Sequence, residues 1–331
     1  MSVLLAVCYL LPADVVLGAG FPWSKYKNRS QEWYGSSDGE RLIENVLSHQ
    51  ATDGSWPKNI DTGAERFRGD SQKLRGTFDN GATRGELRFL ARAYESTQNK
   101  KCLAAFQRGL DVILTSQYPN GGWPQSNSPG SGYGRYITFN DGAMIGILEF
   151  LRDVAESERF EFVDSSRRAS ARRAVEKGIE CILRCQIVVD GKRTAWCAQH
   201  DEVTLAPQKA RSYEHPSISG GESAGICLFL MSIADPSREV IEAVNGACRW
   251  YEKARVRGVR VVRQDGDRVV VADPDAPPIW ARFYEIDSNR PIFSGRDGVI
   301  KYRLSEIEHE RRNGYSWYVS SGAKVLDGWP K

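Results

Sequence analysis

Apolar residues recur at helical spacing along most of the chain, and the windows where they do so are of two kinds. In residues 37–50, Leu42, Ile43, Val46 and Leu47 share one face. One-sided patterns return in 102–117 (Phe106, Leu110, Ile113, Leu114), in 170–185 and in 237–255. Residues 142–154 differ: Met144, Ile145, Ile147, Leu148, Phe150 and Leu151 leave little polar surface, and 217–233 is again apolar. Residues 81–96 carry Leu87, Phe89, Leu90, Ala93 and Tyr94. A helix apolar nearly all round belongs inside a protein, and a one-sided helix belongs outside. Their alternation predicts an all-α fold, an (α/α) toroid of about three inner–outer helix pairs. Strand signal is confined to residues 258–272, where two β-branched runs flank Gln264-Asp265-Gly266-Asp267. That reads as a β-hairpin insertion and not as a second domain. The loops 57–76 and 124–136 are long and rich in Gly, Ser and Asn, and loops of that length are usually functional or disordered.

The chain repeats itself. Gln50-Ala51-Thr52-Asp53-Gly54-Ser55-Trp56-Pro57 is echoed by Gln117-Tyr118-Pro119-Asn120-Gly121-Gly122-Trp123-Pro124. A looser copy runs from Gln186 through Asp190-Gly191 to Trp196. Each follows a helical pattern and contains an Asx-Gly turn, where Asn, Asp and Gly tolerate left-handed backbone. A second duplication pairs Thr77-Phe78-Asp79-Asn80-Gly81-Ala82 with Thr138-Phe139-Asn140-Asp141-Gly142-Ala143, the acid and the amide exchanged. Both precede apolar helical runs, so one expectation is a pair of ordinary N-caps. The other is that two helix ends face each other and offer hard oxygen ligands to a cation.

A length of 331 residues permits one large domain or two ordinary ones, and the organisation expected is a single domain over 21–331. Residues 1–20 are mostly apolar and end in Gly18-Ala19-Gly20, like a signal peptide, although Asp14 interrupts the run and the basic start is missing. Secretion or periplasmic export is therefore expected. Asp14 and Pro12 argue against a membrane span there. The net charge of +3 selects no partner by itself. The seven cysteines lack CxxC or paired-His spacing, so buried free thiols are expected in place of zinc, with one disulfide left open by export. No nucleic acid, and no membrane in the mature chain, is expected as a partner, and a monomer suffices.

Taken in order, Gly-Ser-Trp-Pro-Lys-Asn (54–59), Thr-Phe-Asp-Asn-Gly-Ala-Thr (77–83), Asn-Gly-Gly-Trp-Pro-Gln (120–125) and Thr-Phe-Asn-Asp-Gly-Ala-Met (138–144) resemble the family 10 pectate lyases. So do residues 210–223, 295–302 and 306–318. The resemblance covers about 41–318 and implies an (α/α) toroid that cleaves polygalacturonate by calcium-dependent β-elimination. It implies Asp79 and Asp141 as calcium ligands with Asn80 a third, Arg211 as the base and Arg296 as a substrate-binding arginine. An arginine base is uncomfortable, because its pKa normally lies above about 12. Lys209, just upstream, is a candidate neighbouring cation. Lys58, Trp123, Tyr213 and Tyr284 are candidates for substrate contact; for Trp123, packing between helix ends explains the residue equally well. One departure stands out. Where the family carries small or polar residues after the first turn, this chain has Arg84-Gly85-Glu86.

Three rivals stand beside this reading. The Gln-x-x-Asp-Gly-x-Trp pattern also marks triterpene cyclases, but no Asp-x-Asp-Asp run is present. A glycoside hydrolase could use Asp79 and Asp141 as paired carboxylates. A non-catalytic oligogalacturonate-binding protein would have no need of both Arg211 and Arg296.

Overall fold

A computed structural model of the chain describes residues 20–329. Residues 1–19, which hold most of the expected export segment, lie outside the described residues, as do 330–331. Two short helices, α1 (Trp23–Tyr26) and α2 (Gln31–Tyr34), lead into α3 (Ser37–Ser48), α4 (Arg84–Thr97), α5 (Lys100–Thr115) and α6 (Ala143–Glu156). There follow α7 (Ser165–Cys185), α8 (Glu222–Met231), α9 (Arg238–Lys253), and the short α10 (His309–Gly314) and α11 (Ser321–Asp327). The one-sided helices α3, α5, α7 and α9 pack side by side as an outer row, and α4, α6 and α8 form the inner row. The fold is the expected (α/α) toroid. One apolar core runs between the rows, from Val46 and Phe89 through Phe106, Phe150 and Ile182 to Phe229 and Tyr251.

The sequence repeat is the joint between the rows. Gln50 Nε2 donates to the carbonyls of Gly54 and Ala105, both at 2.9 Å, tying its own turn to the next outer helix. Gln117 does the same to Gly121 and Ala174, and Gln186 to Thr194 and Ala243. In each copy a buried tryptophan donates its Nε1–H to a carbonyl near the end of the preceding outer helix, all at 2.8 Å: Trp56 to Val46, Trp123 to Ile113 and Trp196 to Ile182. A fourth joint exists that sequence reading missed. Trp280 donates to Tyr251 of α9 at 2.8 Å, and the hairpin intervening between α9 and Trp280 hides the spacing. Glycine is required where the turn meets the next helix. Gly121 has φ 94°, and a Cβ there would stand 2.0 Å from the Lys177 carbonyl oxygen.

The expected hairpin pairs Val259–Gln264 with Asp267–Ala272 around Asp265 and Gly266, both at positive φ. Not expected was a four-stranded antiparallel sheet joining Ile218–Ser219, Phe283–Tyr284, Pro291–Ser294 and Ile300–Lys301. It packs on a satellite core of Tyr213, Phe283, Ile292, Phe293, Leu304, Ile307 and Trp317. Six cysteines, Cys102, Cys181, Cys185, Cys197, Cys227 and Cys248, are buried free thiols. Among the described residues no helix is long and apolar enough to cross a membrane.

Candidate active site

The duplicated turns are the organising feature, and they pack against each other at the starts of α4 and α6. Their backbones are alike. Asn80 (φ 52°, ψ 26°) and Asp141 (φ 51°, ψ 26°) occupy the same left-handed position, which Asn and Asp reach more readily than other non-glycine residues. The N-cap expectation is corrected here. The cap positions are Thr83 and Gly142, and neither helix receives a side-chain cap. Both carboxylates are thereby free of helix-capping duty.

Exchange of acid and amide gives the two carboxylates different surroundings. Asp79 is buried; Lys58 forms an ion pair with its Oδ2, Gln125 donates to the same oxygen at 3.0 Å, and the Asn80 amide donates to Oδ1 at 3.0 Å. Asp141 stands more open. Its Oδ2 accepts from Asn140 Nδ2 at 2.7 Å, and Arg282 Nη2 approaches Oδ1 at 3.5 Å. Burial raises the Asp141 pKa; Arg282 and Arg211 lower it, while Glu222 and Asp79 raise it further. The Asp79, Asp141, Arg211 and Arg282 charges therefore share one field.

Arg211 lies in the stretch before the first sheet strand, over the same Tyr315 ring as Arg282. Its Nε and Nη2 donate to the two oxygens of buried Glu214, at 2.8 and 2.5 Å, and it lies over the rings of Tyr213 and Tyr315. Burial pulls its pKa down, but the hydrogen bonds and charge of Glu214 outweigh this and hold it above the ordinary arginine value. Tyr315 adds a hydrogen bond to Glu214 at 2.8 Å.

Three residues were not singled out from the sequence. Arg282 bonds Glu222, reaches Asn140 Oδ1 at 3.3 Å and lies 4.5 Å from the Tyr315 ring centroid. Glu222 also accepts from Ser219, and Gln125 holds Asp79. Gln125 and Glu222 lie inside the family-like motifs, and Arg282 lies outside them. The missing signal was the fold, which brings Arg282 of the sheet to the second turn.

Other expectations change. Trp123 is buried with its Nε1–H committed to Ile113, so it is a joint residue and not a sugar contact. Tyr284 is equally buried; its hydroxyl donates to the Ala254 carbonyl and accepts from the Ala281 amide, so it too is withdrawn from the substrate. Tyr213 is buried in the satellite core between Arg211 and Arg311 and supports Arg211 from below. Asn80 is exposed, with Nδ2 3.4 Å from Asn59 Oδ1. Arg296 stands at the rim, 65% exposed, both its donors at 3.0 Å from Glu310. Lys209 is exposed beside the same loop, its Nζ 3.7 Å from where a Cβ on Gly298 would be.

Calcium takes six to eight oxygen ligands in flexible geometry. Asp141, Asp79 and Asn80 supply a hard-oxygen set of that type, and they supply only part of such a shell. Among the described residues no group of three or more His, Cys, Asp or Glu side chains is arranged to hold a metal alone. Any cation held by Asp141, Asp79 and Asn80 would need further ligands to complete its shell.

Residues 50–326 match the family described as Pectic acid lyase. A "Family 10 polysaccharide lyase from Cellvibrio cellulosa" is 33% identical, with a TM-score of 0.81 over 92% of this chain and 94% of that one. The chain belongs to the family 10 polysaccharide lyases. A mutant of the Cellvibrio cellulosa lyase, solved in complex with trigalaturonic acid, is 32% identical with a TM-score of 0.80, over 92% of this lyase and 95% of that chain. Among curated proteins, none matches. The likeness covers 92% of the chain, and therefore both the helical rows and the sheet.

Proposed function

We propose that this lyase cleaves the α-1,4-linked backbone of polygalacturonate by calcium-dependent β-elimination, releasing 4,5-unsaturated oligogalacturonides. The observation that carries the reading is the convergence of two duplicated carboxylate turns with Arg211 and Arg282 in one shared field. The trigalaturonic acid bound to the Cellvibrio cellulosa mutant supports an acidic sugar polymer as substrate. Asp79, Asp141 and Asn80 would hold calcium against a uronate carboxylate. When bound, the ion would neutralise that carboxylate and stabilise the charge that grows as the C5 proton leaves.

In this reading Arg211 removes the C5 proton. Glu214 fixes Nε and Nη2, which leaves Nη1 to face the sugar. Because Glu214 holds the guanidinium protonated, the base form becomes accessible only at alkaline pH with cations close by. Arg282 and Lys58 hold the two carboxylates in place through ion pairs. Arg296 and Lys209 at the rim would engage uronates further along the chain, Arg296 by exchanging Glu310 for a substrate carboxylate in the same bidentate geometry. The Glu214 pairing favours a second reading, in which Arg211 stays charged and serves only as a clamp on the substrate. Under that reading turnover does not climb with pH through the alkaline range. A polymeric substrate outside the cell also agrees with export through residues 1–20, and the chain is proposed to act as a monomer.

Incubation with polygalacturonate at alkaline pH, followed by ultraviolet absorbance, tests the proposal. A lyase creates a conjugated double bond and the absorbance rises; chelation of calcium abolishes the rise. New reducing ends without absorbance, and insensitive to chelation, would establish the hydrolase instead. Binding without any product would establish the binding protein.

A further inference from the structure

Helix α4 begins with Arg84, the residue at which this chain departs from the small or polar residues expected after the first turn. Its Nη1 donates to the Gly142 carbonyl at 2.9 Å, so the side chain of the first copy grips the backbone of the second. The guanidinium fills the surface of α6 above Gly146, where a Cβ would stand 0.9 Å from Nη1. Its Nε and Nη2 also lie 3.7 Å from the place a Cβ on Gly81 would occupy, which sets the group between the two turns. Among the described residues this neutral carbonyl is its one side-chain hydrogen-bond partner. Burial lowers its pKa, with Glu149 and Asp79 acting upward and Arg88 downward. At neutral pH, where the metal is titrated, the guanidinium is charged.

A fixed cation placed there acts on whatever Asp79 and Asp141 hold. It repels a calcium ion, attracts a uronate, and repels the two arriving together about half as strongly as the bare ion, since their charges sum to +1. We infer that Arg84 is a positioning residue that fastens the two turns to each other and weakens calcium binding to the substrate-free site, so that metal and uronate are taken up together. The inference rests on the calcium reading of Asp79 and Asp141. By reciprocity, Arg84 enlarges the factor by which each ligand tightens the other.

Calorimetric titration of the full chain with calcium chloride tests this, with and without trigalacturonate, in an Arg211→Ala background that prevents turnover. Arg84→Gln is neutral and can still donate to the Gly142 carbonyl. It is expected to bind calcium about tenfold more tightly without the trisaccharide and to lose a similar factor of mutual tightening. Arg84→Lys, which keeps the charge, is expected to stay near the parent value. A purely structural role moves affinity the other way, since loosened turns bind metal more weakly. Should Arg84→Gln not fold, Gly146→Ala denies the guanidinium its seat on α6 and is expected to shift affinity in the same direction. Equal or weaker calcium binding by these variants overturns the inference alone. Parent binding that is undetectable even with trigalacturonate, or that Asp141→Asn leaves unchanged, overturns the calcium reading and the inference together.

Discussion

The first turn, 77–82, and the second, 138–143, have nearly the same backbone and do different work. In the first the carboxylate occupies the buried position, where Lys58, Gln125 and a backbone amide hold it. In the second an amide takes that buried position, and the carboxylate moves to the open left-handed one beside Arg282. The helices that follow differ as well. Arg84 and Glu86 of the first copy correspond to Ile145 and Ile147 of the second, both buried. A duplicated motif has therefore become one rigid, charge-dense half and one accessible half on an apolar support. The order of acid and amide within each turn decides which carboxylate is fixed and which is offered.

The largest loss is expected from a change outside both turns. Arg211→Ala leaves each copy intact, and although it strips buried Glu214 of its ion pair the chain is expected to stay folded, with kcat reduced by at least about a thousandfold. Substantial retained turnover in a steady-state assay would remove Arg211 from the base role. Next in size is a contrast between the halves. Asp141→Asn, which makes the second turn all amide, is expected to cut kcat/KM on the order of a hundredfold and to raise the calcium needed for half-maximal rate. Asp79→Asn is expected to shift the calcium requirement less, because Lys58 and Gln125 already occupy one of its oxygens. Calcium titrations of the two variants side by side check this, and identical curves would make the halves equivalent.

The smallest expected effect concerns Glu86. Burial raises its carboxyl to about 7; Thr62 donates to one oxygen at 3.0 Å, and the other has no partner. The carboxyl takes up its proton more readily folded than unfolded. Its contribution to stability is therefore fully present below about 4.5 and is lost as pH rises through about 7. A shift of that size corresponds to roughly 3 kcal/mol at most. Glu86→Gln is expected to flatten that part of the pH–stability curve, read by denaturant unfolding between pH 4 and 8, and an unchanged curve would show that the group ionises freely.

Much of the fold was legible because helical periodicity and the Gln-to-Trp repeat are local signals. Gln50, Gln117 and Gln186 mark joints whose partners lie at repeating distances, so three copies announce themselves. The fourth joint, at Trp280, was not legible, since the hairpin separates it from α9 and no glutamine flags it. The tryptophans illustrate a second limit. Trp123 beside Gly121 and Gly122 reads equally as a sugar platform or as a packing peg, and burial alone distinguishes them. Arg282 is the opposite case. Nothing in Arg-Phe-Tyr-Glu distinguishes it from its neighbours until the sheet brings it to Asp141.

Residue order was enough for whatever depends on nearest neighbours. That includes the helices and their inner or outer face, the hairpin at Asp265–Gly266, and two turns able to enter left-handed backbone. Which charged groups meet was decided by packing. Lys58 reaches Asp79, Glu214 holds Arg211, Arg282 joins Glu222 to Asp141, and Arg84 crosses to Gly142. The cause is range. Backbone preference and amphipathic patterning are written within a few residues, whereas a shared electrostatic field is set by distances between segments that only packing can fix.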